Sequence, residues 1–145
     1  MMWGFSLAFL IYIMYTYREA KNKKMNKKNE EDKYCYRSPG FRVDGKVTYI
    51  VRETMNGQNF LVDEFDQKII KKSFKEILEF KDGFIPVADS SGAYHLNSEF
   101  KPAYSQRFKR TFWFRNQGAL VVYNDRSQHF IDHRGNEIEC PSQVA

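Results

Sequence analysis

Two short stretches carry most of the structural information in this sequence: DGFIPVADSSGAYHL at residues 82–96 and QGALVVYNDRSQHFI at residues 117–131. Each has an apolar run, a turn and a second apolar run, which is typical of a β-hairpin. Four positions of the first stretch recur 35 residues later, with Gly83, Ile85, Val87 and Asp89 matched by Gly118, Leu120, Val122 and Asn124. A longer copy, DGKVTYIVRETMNGQNFL, begins at Asp44. Because a two-stranded unit cannot bury its own apolar face, we expect neighbouring copies to stack.

Turn signals separate these runs at regular intervals. They are Asp44-Gly45, Asn56-Gly57, Asp82-Gly83, Ser91-Gly92, Asn116-Gln117-Gly118 and Arg134-Gly135. Asn56-Gly57 lies between the β-branched and aromatic runs 47–51 and 60–62, and it predicts a type I′ hairpin turn. The sequence therefore predicts an all-β fold, a small antiparallel β-hairpin repeat domain of about two and a half units preceded by an N-terminal hydrophobic helix.

Composition and charge exclude several classes of protein. The chain has 145 residues, 42% of them hydrophobic, and two cysteines, which excludes a large multidomain enzyme and a disulfide-dense scaffold. The net charge of +5 comes from residues 18–28, where six basic residues accompany one acid, while residues 29–145 carry 17 of each. The basic excess therefore belongs to a tether and not to the folded part.

The first 17 residues contain no charged side chain. As a helix they would span roughly 26 Å, which suits a single transmembrane pass. The lysines that follow place the C-terminal domain in the cytoplasm by the positive-inside rule. A cleavable signal peptide and a helix or strand packed on the domain are the alternatives.

These observations divide the chain into three parts. Residues 1–17 are predicted to be a transmembrane helix, residues 18–36 a charged tether, and residues 37–145 the β-repeat domain. Lysines in the tether would be attracted to anionic lipid headgroups. Cys35 and Cys140 lie near the ends of the domain, and whether they pair depends on the compartment.

The stretch ALVVYNDRSQHFIDHRGNEI, residues 119–138, resembles one unit of the bacterial WG-containing repeats, also called KWG repeats. Phe130-Ile131-Asp132, Gly135 and Glu137-Ile138 match the pattern of that family. Tyr94-His95 and Gln128-His129 stand where the family has its Trp-Gly pair, so this pair is missing. The resemblance covers residues 44–140 and implies an all-β repeat fold, a function in protein contact, and no catalytic residues.

No catalytic, cofactor or metal site emerges from the residues. His95, His129 and His133 fall in or near turns, and no Cys or carboxylate cluster completes a set of metal ligands. Ser90-Ser91-Gly92 has the form of an ordinary hairpin turn, and phosphate-binding and nucleophile motifs are absent from the sequence. We therefore predict that the protein is not an enzyme and needs no cofactor or metal.

Residues 107–115, RFKRTFWFR, interleave cations with aromatic rings. Strand alternation predicts that Phe108, Phe112 and Phe114 face the core, and the predicted partner-binding residues are Arg107, Lys109, Trp113 and Arg115. The sequence thus predicts a membrane-anchored, non-catalytic binding module for a protein or peptide, with self-association through exposed β edges as a further expectation. The alternative is a soluble single-stranded nucleic-acid-binding β module that uses this strand, disfavoured by the balanced charge of residues 29–145.

Overall fold

A computed structural model describes residues 11–18 and 33–140. Residues 11–18 form a short, exposed helix, and the rest of the described chain is built of antiparallel strands. The strands are β1 (Tyr34–Arg37), β2 (Phe41–Val43), β3 (Lys46–Glu53), β4 (Asn59–Val62), β5 (Glu76–Ile77), β6 (Ile85–Asp89), β7 (Gly92–Leu96), β8 (Arg110–Arg115), β9 (Gly118–Val122), β10 (Gln128–Ile131) and β11 (Glu137–Ile138). The prediction of an all-β fold is confirmed at this level.

The strands form three sheets that follow one another along the chain. In the first, β1 and β2 pair with successive parts of β3, and β4 pairs with the other edge of β3. The second has the order β5-β6-β7, and the third β11-β10-β9-β8. The second and third sheets are therefore antiparallel meanders, as are β2, β3 and β4 of the first, and consecutive strands in them can be joined by short turns.

A two-residue turn leads into the central strand of each sheet. Both residues have positive φ at Asp44-Gly45 (48° and 80°), Asp82-Gly83 (52° and 90°) and Asn116-Gln117 (50° and 72°), as a type I′ turn requires. The predicted type I′ turn at Asn56-Gly57 is wrong. A five-residue loop, 54–58, joins β3 to β4, and in this pair only Gly57 has positive φ.

An Asx turn follows the last long strand of each meander. Asp63, Asn97 and Asp132 each accept hydrogen bonds from the backbone N–H groups two and four residues further on, at 2.8–3.2 Å. The fourth residue of each turn has positive φ, at Asp66, Phe100 and Gly135. The side-chain oxygen thus accepts hydrogen bonds from backbone N–H groups that lie beyond the end of the strand and no longer have a strand partner.

One hydrophobic core joins the three sheets, since its buried residues include Ile50 and Leu61, Ile85 and Val87, and Phe114 and Val121. The 35-residue recurrence matches Leu120 to Ile85 and Val122 to Val87, but the matched residues differ in burial. Leu120 and Val122 are half-buried, whereas Ala119 and Val121, 34 residues after Ile85 and Val87, are buried. Because side chains alternate between the faces of a strand, a one-residue offset moves them to the other face.

The predicted membrane span over residues 1–17 lies partly outside the described residues, which include only 11–17 of it. Within 11–18 and 33–140, no helix has the length and apolar character needed to cross a bilayer. The prediction of a single-pass membrane protein with a cytoplasmic C-terminal domain is therefore wrong. Residues 19–32 of the predicted tether lie outside the described part, and β1 begins at Tyr34, three residues before the predicted start of the domain.

Candidate functional site

An open groove of about 420 Å³ runs between one face of the first sheet and β5 of the second. Tyr36 and Trp113 contribute rings and Arg52 contributes a cation to its walls, while Ile50 and Ile77 lie at its floor and are buried in the core. This volume lies within the ~300–1,000 Å³ of typical ligand sites, and a mixture of apolar surface with a few polar groups is usual there. The groove is therefore a candidate binding site among the described residues.

The first-sheet wall of the groove is a row of side chains across three strands. Tyr36 of β1 is the cross-strand partner of Arg52 of β3, and Asn59 of β4 is the partner of Arg52 on the other side. Cross-strand partners share one face of an antiparallel sheet. The Arg52 Nε–H donates to Asn59 Oδ1 at 3.2 Å, and its guanidinium carbon lies 5.9 Å from the centre of the Tyr36 ring.

Asn59 is buried and has a defined orientation. Its Nδ2 donates to the carbonyl oxygens of Phe74 (3.3 Å) and Lys75 (3.0 Å), while its Oδ1 accepts from Arg52. Carbonyl oxygens only accept and a guanidinium only donates, so the contacts allow one assignment of the amide. Asn59 thereby positions Arg52 from beneath, and its own backbone pairs with Phe74.

Trp113 stands at one end of the groove because β8 contains a bulge. Register shifts between Thr111 and Phe114, so that Phe112 and Trp113 together face Leu120 alone. Trp113 is half-buried, its Nε1–H donates to the Glu79 carbonyl oxygen at 2.8 Å, and Lys81 Nζ lies 5.8 Å from the centre of the ring. The predicted alternation fails here, since Phe112 is half-buried and Thr111 is buried.

The other predicted partner-binding residues do not join Trp113 in the groove. Arg107 stacks on the Tyr94 ring, 3.7 Å from its centre, and donates to Ser91 Oγ and to the carbonyl oxygens of residues 104–106. Lys109 and Arg115 are exposed and do not line the groove. Sequence reasoning missed four residues of the groove: Tyr36, Arg52, Asn59 and Lys75. Only Arg52 carried a signal, because it is a polar residue in the otherwise mostly apolar run of β3.

A second polar cluster lies around Asp89 at the end of β6. The buried carboxylate accepts from Tyr94 OH (2.7 Å), Ser91 N–H (2.7 Å), Ser91 Oγ (2.5 Å) and Lys72 Nζ (2.5 Å). Burial opposes ionisation, but these hydrogen bonds outweigh it and hold the pKa of Asp89 well below its usual 3.8. All of the partners belong to the hairpin or its flank, so the cluster stabilises the fold.

His95 belongs to the core. It is fully buried, with Nε2 at 2.7 Å from the Phe112 carbonyl oxygen and Nδ1 at 2.5 Å from Tyr104 OH. A carbonyl oxygen only accepts, so Nε2 carries the proton and Nδ1 accepts from Tyr104. Burial lowers the pKa of His95 to about 4, and burial raises the pKa of Tyr104. Both nitrogens of the neutral ring are occupied, so His95 has no capacity left for a ligand.

His129 contacts a serine and an acid, as the histidine of a Ser-His-acid triad does, but the serine hydroxyl does not donate to it. Its Nε2 is 2.7 Å from Ser127 Oγ and its Nδ1 is 2.6 Å from Glu137 Oε1. The Ser127 hydroxyl donates to Asp125 Oδ1 at 2.5 Å, so it does not donate to His129, as a serine activated by a general base must. His133 packs against the rings of Phe84 and Phe114. No group of three potential metal ligands occurs within residues 11–18 and 33–140.

Comparison with known proteins identifies no family. No family model matches the chain, and no solved structure matches it. Two aspartate/glutamate leucyltransferases, from two strains of Leptospira interrogans, are each 30% identical to the chain over 60 residues. The match covers 41% of this chain and 23% of either transferase. It therefore assigns neither a family nor a reaction.

Proposed function

We propose that this protein is a non-catalytic binding module built from WG-like β repeats, and that the groove binds an extended segment of a protein partner. The observation that carries the proposal is the groove itself, in which Arg52 and Trp113 are held by hydrogen bonds to Asn59 and Glu79. Side chains that are fixed before binding lose less conformational entropy when a ligand arrives.

The recurrence of local geometry supports the repeat interpretation. Each sheet contains a type I′ turn, a hairpin and an Asx turn, and the Asx residues are spaced by 34 and 35 residues. Equivalent bridges, Asn59 to Phe74 and Ala93 to Phe108, tie one unit to the linker of the next. A groove between units is then a natural place for a partner, since stacked repeats form extended binding surfaces.

The groove geometry favours a peptide over a nucleic acid. Of the aromatic rings in residues 107–115, Phe108 and Phe114 are buried and cannot stack on bases, and Arg107 is engaged with backbone carbonyl oxygens. The groove itself carries both signs of charge, with Arg52 and Lys75 on the one hand and Glu76 and Glu79 on the other. A polyanion would be repelled by these carboxylates, whereas a peptide can present both charges and an apolar side chain.

Photo-crosslinking in cells that produce the protein tests this proposal. The residue at the exposed rim, Tyr36, is replaced in the full chain by a benzophenone-bearing amino acid, and the control carries the same replacement at Met55, which is 96% exposed and outside the groove. We expect a discrete protein adduct from position 36 that is absent from position 55. Equal adducts at both positions, or retention of the full chain on single-stranded nucleic acid with adducts only to nucleic acid, would contradict the proposal.

A further inference from the structure

Arg52 is a positioned cation for which the described chain supplies no acid. Its Nε–H is occupied by Asn59, which leaves the two terminal NH₂ groups of the guanidinium for other partners. None of the salt bridges of the described residues involves Arg52 or its neighbour in the groove, Lys75. The planar guanidinium matches a carboxylate with two parallel hydrogen bonds.

We infer that the groove recognises a carboxylate side chain of the partner, which pairs with Arg52 while an apolar neighbour in the same peptide packs against the exposed ring of Tyr36. This inference rests on the proposed function and names the ligand class. Tyr36 is the cross-strand partner of Arg52 and is 48% exposed, so its ring is accessible on the same face of the sheet. An extended peptide repeats its side-chain direction every two residues, about 6.6–6.8 Å, and can therefore present an acid and an apolar residue to this face together.

The remaining charges of the groove limit how acidic the segment can be. Lys75 adds a second exposed cation. It lies near Asn59, since its backbone carbonyl oxygen accepts a hydrogen bond from Asn59 Nδ2 at 3.0 Å. Glu79 lies at the Trp113 end, where its carbonyl oxygen accepts the indole N–H. A run of acids would meet the Glu76 and Glu79 carboxylates, since like charges placed together are costly. The fitting ligand is therefore a segment with one carboxylate beside an apolar residue, and not an acidic tract.

Selection of random 12-residue peptides on the full chain tests the inference. The selected peptides are measured by titration calorimetry as matched pairs, each with its Asp or Glu and with the corresponding Asn or Gln. We expect an acid in every binding peptide, and a loss of roughly ten- to hundredfold in affinity on conversion to the amide, as for a hydrogen bond to a charged group. With Arg52→Gln the acid and amide peptides should bind equally, whereas with Arg134→Gln, an exposed control outside the groove, the difference should persist.

The variants separate failure of the inference from failure of the proposed function. If peptides bind and lose affinity with Tyr36→Ala, but the acid-to-amide loss is unchanged in Arg52→Gln, the carboxylate inference is overturned and the groove stands. If binding is unaffected by both Tyr36→Ala and Arg52→Gln, the groove is not the site and both fall. Arg52→Lys, which keeps the charge without the planar fork, should bind the acid peptide with an affinity between those of wild type and Arg52→Gln.

Discussion

His95 shows how a single buried side chain is accommodated in this fold. The sequence predicts a histidine in or near a turn, but the ring is fully buried beside Phe84 and Phe114, whose centres lie 6.3 Å and 4.5 Å away. Every residue of β7 from Ala93 to Leu96 is buried, so that this strand is covered on both faces. A histidine can occupy such a position only when both nitrogens are satisfied, as Tyr104 and Phe112 satisfy them here.

We expect acid to destabilise the protein through His95. Burial lowers the pKa of His95 from 6.5 to about 4, so the unfolded state binds more protons between these values. This contribution to stability is complete above pH 6.5 and is lost as the pH falls towards 4. The free energy of unfolding should fall by about 2 kcal/mol between pH 7 and pH 5, as measured by urea denaturation.

An NMR titration of the imidazole checks the same prediction directly. The His95 ring should remain neutral at pH 5 in the folded protein. His129→Gln, which removes a histidine that is hydrogen-bonded to Ser127 and Glu137 and is not a cause of the lowered His95 pKa, should keep the loss of stability, and His95→Gln should reduce it. A His95 resonance that titrates near 6.5, its ordinary pKa, would contradict the assignment.

Among the strands, β8 shows most clearly how an element departs from its simple pattern. Alternation along Arg107 to Arg115 predicts a regular edge strand, whereas a bulge places Thr111 and Phe114 inward and brings Trp113 to the groove. A bulge is set by the pairing with β9, which is not contained in the alternation of β8 itself. The turn that follows, Asn116-Gln117, has positive φ at both residues although neither is glycine.

Gln117→Gly should stabilise the protein. Gln117 has a φ of 72°, which strains a residue with a Cβ atom, and Asn-Gly is the preferred pair for a type I′ turn. We expect the free energy of unfolding to rise by about 0.5–1 kcal/mol, measured by chemical denaturation. Gln58→Gly is the matched control, because Gln58 is an exposed loop residue without positive φ and should not be stabilised by glycine. Equal effects of the two substitutions would count against the turn assignment.

At the scale of the whole molecule, the three sheets depend on one another through a single core. Phe114 of the third sheet is 1% exposed, and its ring centre lies 4.7 Å from that of Phe84, which directly precedes β6 of the second sheet. The same buried cluster continues to Ile50 and Leu61 of the first sheet. A short meander has too little apolar surface to be stable alone, so we expect the sheets to unfold together.

Phe114→Ala should therefore weaken the described domain as a unit. Removal of a buried phenylalanine ring costs about 3–5 kcal/mol, a large fraction of the stability of a small domain. The milder Phe114→Leu permits hydrogen exchange in the folded protein, and backbone amides of Val51 and Leu61 in the first sheet should lose as much protection as those of Ile85 and Val87. First-sheet amides that keep wild-type protection would show instead that the sheets unfold separately.

Local sequence was sufficient for the β class and for many of the turns. Asp-Gly pairs at 44–45 and 82–83 predict turns because few residues tolerate positive φ, and alternation predicts strands because side chains change face at every residue. Both signals act over a few residues and are readable without knowing the fold. The same local reasoning failed at Asn56-Gly57, where the loop is longer than the pair suggests, and it predicted a membrane span from an apolar run whose described part, residues 11–17, belongs to a short exposed helix.

The groove exists only in the tertiary structure. Its side chains come from Tyr36, Arg52, Asn59, the 75–79 segment and Trp113, which are separated along the chain by as many as 77 residues. No local pattern relates them, because strand register, the bulge in β8 and packing between sheets decide which face each side chain occupies. The sequence specifies strands and turns through short-range preferences, whereas the site depends on contacts between distant segments that form only when the common core is buried.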